Sequence, residues 1–515
     1  MSFKLKQLVA ASLAGTALLG FGANAFADST DDILNALIAK GVLTEEEGAL
    51  LIKGRELEKE TKTKKPDLVF KDGMTIATPD GKHSVSLGGR IHADYRAFDH
   101  GNNDNRTTGN TANESDTFDI RRARLELKGK FYEYYDFQFS GDFAGQTNGN
   151  TGATLDQAWV NIGYYKPIQV KIGQFKVPLS MERKMSSNAL DFMERSLHDT
   201  LGSFEDRGAM IWGVPKDGLT YAVAVVNGEG NKNRNDADSR VSVPEIQLNG
   251  TVNFAQLMDN KEAVYHVGLG FADTDISKNN NAAGTGAAQT ATTAASPAAD
   301  NTFWFAGTNQ VRSEGRGVNF LRLPGLISAN DVSNEINRKR YAAEGAVALG
   351  PVKVTAEWLR NSFSGDLTTT QSFGADVDAW YASALWNISG EKFADFYKEG
   401  VFAAVKPKNN FDFNTFSGGL WQVGVRYSHL DASDFNNATF ASAAGGGTAN
   451  NVSKVQTTTN TFEADGITLG LNFAPTPNTR FMLNYIETRF DTPILIEGSP
   501  EDKEKAITFR SQFNF

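Results

Sequence analysis

From about Val85 to Phe515 the chain alternates apolar and polar residues with a period of two. In the last segment Ile507, Phe509, Phe513 and Phe515 fall on one face, and Thr508, Arg510, Gln512 and Asn514 fall on the other. Ile467, Leu469, Leu471 and Phe473 alternate with Thr468, Gly470 and Asn472; Trp421, Val423, Val425 and Tyr427 alternate with Gln422, Gly424, Arg426 and Ser428. This is the period of β-strands with one apolar face. Sixteen candidate strands follow, near 84–98, 117–129, 132–143, 154–164, 167–175, 205–214, 218–227, 243–255, 263–273, 338–349, 351–361, 376–389, 417–430, 461–474, 477–490 and 505–515.

A soluble sandwich alternates in the same way, so the connections have to decide. Long polar connections follow odd-numbered strands, as at 99–116, 176–204, 274–337 and 431–460. Tight turns follow most even-numbered ones, as at Gly129-Lys130, Tyr165-Lys166 and Pro475-Thr-Pro477. An up-and-down barrel in an outer membrane has this asymmetry. Hydrocarbon offers no partner to backbone polar groups, so such a sheet must close, and at this strand number closure leaves a water-filled lumen. The expected fold is therefore all-β, a sixteen-stranded antiparallel transmembrane β-barrel. Tyr164, Tyr165, Trp212, Trp380 and Trp386 near strand ends read as interfacial girdles. The connection 390–416 is long where a short turn is expected, and it reads as a periplasmic insertion.

The N-terminus differs. Lys4 and Lys6 precede an apolar run, Leu8 to Phe21, ending in Ala25-Phe26-Ala27. Residues 1–27 read as a secretory signal peptide cleaved before Asp28. Residues 28–65 carry apolar positions at helical spacing with Thr44-Glu-Glu-Glu47 as a capping box. They read as a short helical, periplasmic segment that self-associates, contacts the cell wall or a periplasmic partner, or extends into solvent. The tract 279–300 is low in complexity and carries no chemistry.

Composition narrows the function. The chain has no cysteine and a net charge of −10, which argues against disulfides, Cys-ligated metals and nucleic acid. None of the six histidines sits in a nucleophile motif, and His198 near Ser196 reads as a loop surface residue. No enzyme, cofactor or metal site is expected.

The chemistry lies in the charged rows. Alternation puts Arg122, Arg124, Glu126 and Lys128 on one face of the second strand and Ala123, Leu125 and Leu127 on the other. A charge facing lipid costs about 2–4 kcal/mol at the midplane, so the charged face is the lumen. Arg121 then points outward unless it sits at the rim or a bulge turns it in. Arg90 and Arg96, and Gln169 and Lys171, face inward by the same rule. Inward arginines concentrate anions and present a planar fork to phosphate or carboxylate oxygens. A wide lumen needs narrowing, and the loop 176–205 is the candidate. Within it, Asn188 to Ser196 reads as an amphipathic helix with Leu190, Met193 and Leu197 against the wall. That leaves Lys176, Arg183, Lys184 and Arg195 for the channel. Arg312, Arg316 and Arg322 read first as a solvated surface loop and second as a pore mouth.

Several stretches resemble one family. They include Leu87-Gly-Gly-Arg90-Ile-His-Ala-Asp94-Tyr, Phe118-Asp-Ile-Arg121-Arg122-Ala, Leu155-Asp156-Gln-Ala, Lys171-Ile-Gly-Gln-Phe-Lys176, Met181-Glu-Arg183-Lys-Met-Ser186-Ser187 and Met193-Glu194-Arg195. From about Gly73 to Phe515 the chain resembles the phosphate-selective porins O and P of Gram-negative outer membranes. The resemblance implies a homotrimer in outer-membrane lipid passing inorganic anions such as phosphate, polyphosphate or chloride. It implies an arginine ladder matched by Arg90, Arg121, Arg122 and Arg195, and a constriction matched by Arg183 and Asp156. Arg124 and Lys176 stand where the best-known members have uncharged or acidic residues. Asn249 and Asp273 stand where cations are expected, and the loop at 361–377 has no lysine. Anion preference survives these departures, whereas a dedicated phosphate site does not follow. The competing readings are a general, weakly selective porin, a tether acting through residues 28–65, and a barrel enzyme.

Overall fold

The computed structural model describes residues 44, 67–70, 73–99, 116–144, 153–202, 205–228, 244–277, 310–322, 335–368, 371–436, 461–496 and 499–515. The signal peptide, the helical segment apart from residue 44, and the 279–300 tract lie outside the described residues.

Among these residues sixteen long strands form one closed antiparallel sheet. They are β1 (Ser84–Phe98), β2 (Thr117–Phe131), β3 (Tyr135–Asp142), β4 (Thr154–Tyr165), β5 (Ile168–Lys176), β6 (Glu205–Lys216), β7 (Leu219–Val226) and β8 (Glu245–Asn253). The sheet continues with β9 (Ala263–Ser277), β10 (Glu335–Leu349), β11 (Val352–Thr368), β12 (Gln371–Asn387), β13 (Leu420–Asp431), β14 (Glu463–Thr476), β15 (Thr479–Ile496) and β16 (Ser499–Asn514). Each strand pairs with its sequence neighbour, and β16 pairs back onto β1 from Ala506–Phe98 to Asn514–Arg90, closing the barrel. Every candidate strand is present. The eleventh and twelfth run further than expected and meet at Thr368–Gln371, so that loop-end connection is short.

Exposure follows the alternation in the inverted sense that lipid demands. Ile507 and Phe509 are 54% and 40% exposed, while Arg510 between Phe509 and Ser511 is fully buried. Apolar side chains face outward because the surrounding solvent is hydrocarbon, and polar ones face a lumen lined by protein. Tyr164, Tyr165, Trp380 and Trp386 are exposed, as interfacial aromatics require. Trp212 departs from that expectation. It faces inward with Met210, and its indole N–H donates to Asn161 Oδ1 at 2.8 Å.

Among the described residues, at least three connections fold against the inner wall. One is 177–202, between β5 and β6. The second is a short hairpin, Gln310–Arg312 with Asn319–Arg322, in the β9–β10 connection. This corrects the surface-loop expectation: Val311, Val318, Phe320 and Leu321 are buried in a cluster with Leu359 and Phe363 of β11. Glu504 of β16 accepts from the Val318 N–H at 2.8 Å, and Arg426 of β13 pairs with Glu314 at 2.8 Å. The third is the insertion between β12 and β13. It leaves the turn end and returns inward, seating Phe393 and Phe402 over the Lys353 ammonium at 4.9 and 4.6 Å. Its Tyr397 hydroxyl lies 2.7 Å from His266 Nδ1 of β9.

Candidate functional site

Strict alternation leaves Arg121 and Asp156 without a lumen position, and two β-bulges supply one. In the β1–β2 ladder His92 faces Arg122 and Ala93 faces Ile120, so Arg121 is the extra residue. In the β3–β4 ladder Ser140 faces Gln157 and Gly141 faces Leu155, so Asp156 is extra. A bulge lets the added residue share its neighbour's face and shifts the alternation of the residues beyond it by one. Arg121 and Arg122 consequently both point inward, while Phe118 and Ile120 stay exposed to the outside. Arg124 spans the two features. Its Nε lies 2.7 Å from Asp142 and its Nη1 2.6 Å from Asp156, and Ser140 donates to the same carboxylate at 3.1 Å.

The 177–202 segment is held by the far wall. Its α-helical turn, Met181–Lys184, starts at Ser180. Glu357 of β11 accepts from Ser180 Oγ, Met181 N and Glu182 N at 2.7, 2.9 and 2.7 Å, anchoring that start. Residues 188–196 are not helical, contrary to the amphipathic reading. Strand side chains take the backbone groups that a helix would pair internally. Arg480 donates to Leu190 O at 2.8 Å and Asn472 to Asp191 O at 2.8 Å; Arg510 donates to Met193 O, and Arg426 to Glu194 O at 3.0 Å. With its carbonyls satisfied from outside, the segment stays open. Leu190, Met193 and Leu197 are nevertheless buried, so the apolar half of the expectation holds. His198 is buried as well, edge-on to Tyr381 at 5.7 Å, rather than at the surface.

Glu194 gathers three guanidinium groups: Arg121 at 2.9 Å, Arg510 at 3.0 Å and Arg96 at 3.2 Å. Burial opposes its ionisation, but Arg121 and Arg510 outweigh burial and hold the carboxyl well below the usual range. Arg121 also lies near Arg316 of the infolded hairpin. That like charge, with burial, lowers the Arg316 guanidinium to about 10.

Among the described residues, the segment borders two chambers of the lumen. The loop-end chamber, about 440 Å³, is lined by Arg121, Arg122, Arg183, Arg195, Arg312 and Arg316 among carboxylates. The turn-end chamber, about 450 Å³, is lined by Arg90, Lys128, Lys171 and Lys184 and by part of the β12–β13 insertion. Arg124, Asp156 and Lys176 line both, so the chambers meet there. Arg183 belongs to the loop-end chamber alone and pairs with Asp199 at 3.0 Å. Lys176, not Arg183, therefore shares the waist with Asp156.

The cations differ in how they are compensated. Arg90 pairs with Glu126, Lys184 with Glu344 at 3.1 Å, and Arg195 with Asp199 at 3.6 Å. Arg122 is 4% exposed and has no ion-pair partner among the described residues; its Nε and Nη1 are buried without a hydrogen bond. Among the described residues, Lys176 donates only to the Lys184 and Met185 carbonyls. Lys171 lies 4.3 and 5.2 Å from the ring centres of Trp159 and Trp212, also without a carboxylate among the described residues. Sequence reasoning gave no role to Glu194 within the segment, nor to Arg480 and Arg510, which reach it from distant strands. The apolar residues flanking Arg312 and Arg316 were the available sign that this hairpin packs inward.

A family model for phosphate-selective porin O and P matches residues 85–515. Porin O of Pseudomonas aeruginosa is 28% identical over 382 residues, which is 72% of this chain and 78% of that one. Among solved structures, the outer membrane channel DcaP of Acinetobacter baumannii matches 85% of this chain and 99% of its own at 10% identity and a TM-score of 0.46. OmpT of Vibrio cholerae, in a trimer form, matches 84% and 99% at 8% identity and a TM-score of 0.44.

Proposed function

Since the chain belongs to the phosphate-selective porin O and P family, and is thus an outer-membrane diffusion channel rather than an enzyme, we propose that it prefers anions. The observation that carries this reading is Arg122. A guanidinium buried in the channel wall with no carboxylate of its own is costly unless an anion visits it. Lys176 at the waist and Arg316 opposite Arg121 add cations in the same state or crowded by like charge. A passing anion exchanges part of its hydration for these fixed donors, and several such sites in series let it move on. The departures at Asn249, Asp273 and 361–377 leave phosphate, polyphosphate and chloride as candidate ions, without a dedicated phosphate site.

A weakly selective pore is the second reading. It is favoured by the pairing of Arg90, Arg124, Arg183 and Arg195 with carboxylates, which cancels much of the ladder's field. The reversal potential of the purified protein in a planar bilayer under a potassium chloride gradient separates the two. Anion preference gives a chloride-directed potential that phosphate shifts or blocks; a potential near zero, or one directed to potassium, overturns it. The family likeness further supports a homotrimer and export through the 1–27 signal peptide. Crosslinking in native membranes and the mature N-terminal sequence test these two points.

A further inference from the structure

The turn-end chamber holds what a small inorganic ion does not need. Beside its cations and the carboxylates Glu126, Asp156 and Glu399, it presents the apolar and aromatic side chains of Met210, Trp212, Tyr221 and Val401. Among the described residues, the loop-end chamber has no aromatic side chain in its lining. Both indoles next to Lys171 are fixed by their own N–H groups, Trp159 to Gln157 at 3.2 Å and Trp212 to Asn161 at 2.8 Å. Tyr221 is fixed likewise, its hydroxyl donating to Pro167 O at 2.9 Å. Trp212 and Tyr221, which line the chamber, thus have their polar groups held by the wall and present ring carbon beside Lys171. Lys171 lies over the Trp159 and Trp212 rings, with an ammonium that forms no ion pair with a carboxylate among the described residues.

We propose that this chamber is a binding site for aromatic organic anions, with the anionic group on Lys171 and the ring against Trp212 and Tyr221. A cavity of this size falls within the roughly 300–1,000 Å³ that holds an organic ligand, and the pattern of apolar walls with few placed charges is that of such sites. Ring stacking on indole and phenol, added to the ammonium contact, distinguishes an aryl phosphate from phosphate itself. The inference rests on the anion reading above and narrows it by substrate class.

The test compares phenyl phosphate with inorganic phosphate as blockers of chloride current through the purified protein, each added at the turn end. Phenyl phosphate is expected to halve the current at a concentration roughly two- to tenfold below that of phosphate. Trp212→Leu is expected to remove that advantage while leaving the phosphate block unchanged, and Lys171→Met to weaken both blocks. Equal potency of the two blockers in the unmodified protein overturns the inference, as does an undiminished ring advantage in Trp212→Leu. The first comparison needs no variant, so a folding failure leaves the proposal decidable. A current carried by potassium overturns the anion reading and this inference with it, whereas a chloride current without ring advantage overturns this inference alone.

Discussion

The two chambers share one wall pattern yet keep their cations in different company. In the loop-end chamber Arg121, Arg124, Arg183 and Arg195 stand within ion-pair distance of Glu194, Asp142, Asp156 and Asp199. In the turn-end chamber Lys171 stands against two indoles, and Met210, Trp212 and Tyr221 line the same chamber. Alternation says only that polar groups face the lumen. What those groups do to an ion depends on the segments folded in from three connections. A mixed field of paired charges suits rapid passage, because no site holds an ion for long. A cation beside flat carbon surface suits recognition of something larger.

The largest effect is expected from loosening the 177–202 segment. Arg510 holds Asp94 through two contacts of 2.7 Å and also holds Met193 O and Glu194. Arg510→Ala leaves buried carboxylates short of a partner, at a cost of about 3 kcal/mol. Lower unfolding stability should appear in denaturant titrations, with larger and noisier single-channel conductance. Unchanged conductance would mean that 177–202 does not separate the chambers.

Charge reversal comes next. Arg122→Glu should lower the chloride-to-potassium permeability ratio at least about fivefold, since it places an anion where no carboxylate now stands. Arg312→Glu, farther along the loop end, should change it about twofold, and Lys128→Glu at the turn end by a similar amount. Equal ratios from all three would erase the distinction drawn for Arg122.

The smallest effect is on pH dependence. The folded-state pKa of Glu194 is depressed, so its contribution is present above the ordinary glutamate range and lost as pH falls through the lowered value. Channel noise from this carboxyl should stay constant through the ordinary glutamate range, about pH 4 to 5, and rise only well below it, where the carboxyl loses its charge. A rise already within the ordinary glutamate range, about pH 4 to 5, would mean that the three guanidinium groups do not control it.

Much of this was open to reading from the residues. Each strand declares its own faces, because a period-two pattern is local and lipid penalises any charge turned outward; Arg122, Arg124 and Lys171 were placed that way. Trp212 was misplaced because its position near a strand end resembles that of Trp386, and only its register puts it inward beside Met210. The helix expected at 188–196 failed for a similar reason. Its backbone partners, Arg480, Asn472 and Arg510, lie some 280 to 320 positions away in the chain.

The sequence alone determined a closed sixteen-stranded cylinder, its greasy outside and its charged inside, since each follows from neighbours along one strand and from the solvent outside it. Only the tertiary structure decided that bulges admit Arg121 and Asp156 to the lumen, that the 310–322 hairpin and the β12–β13 insertion fold inward, and that Lys176 meets Asp156 at the waist. Those outcomes depend on which distant groups satisfy a buried carbonyl or carboxylate, and no local periodicity encodes such a pairing.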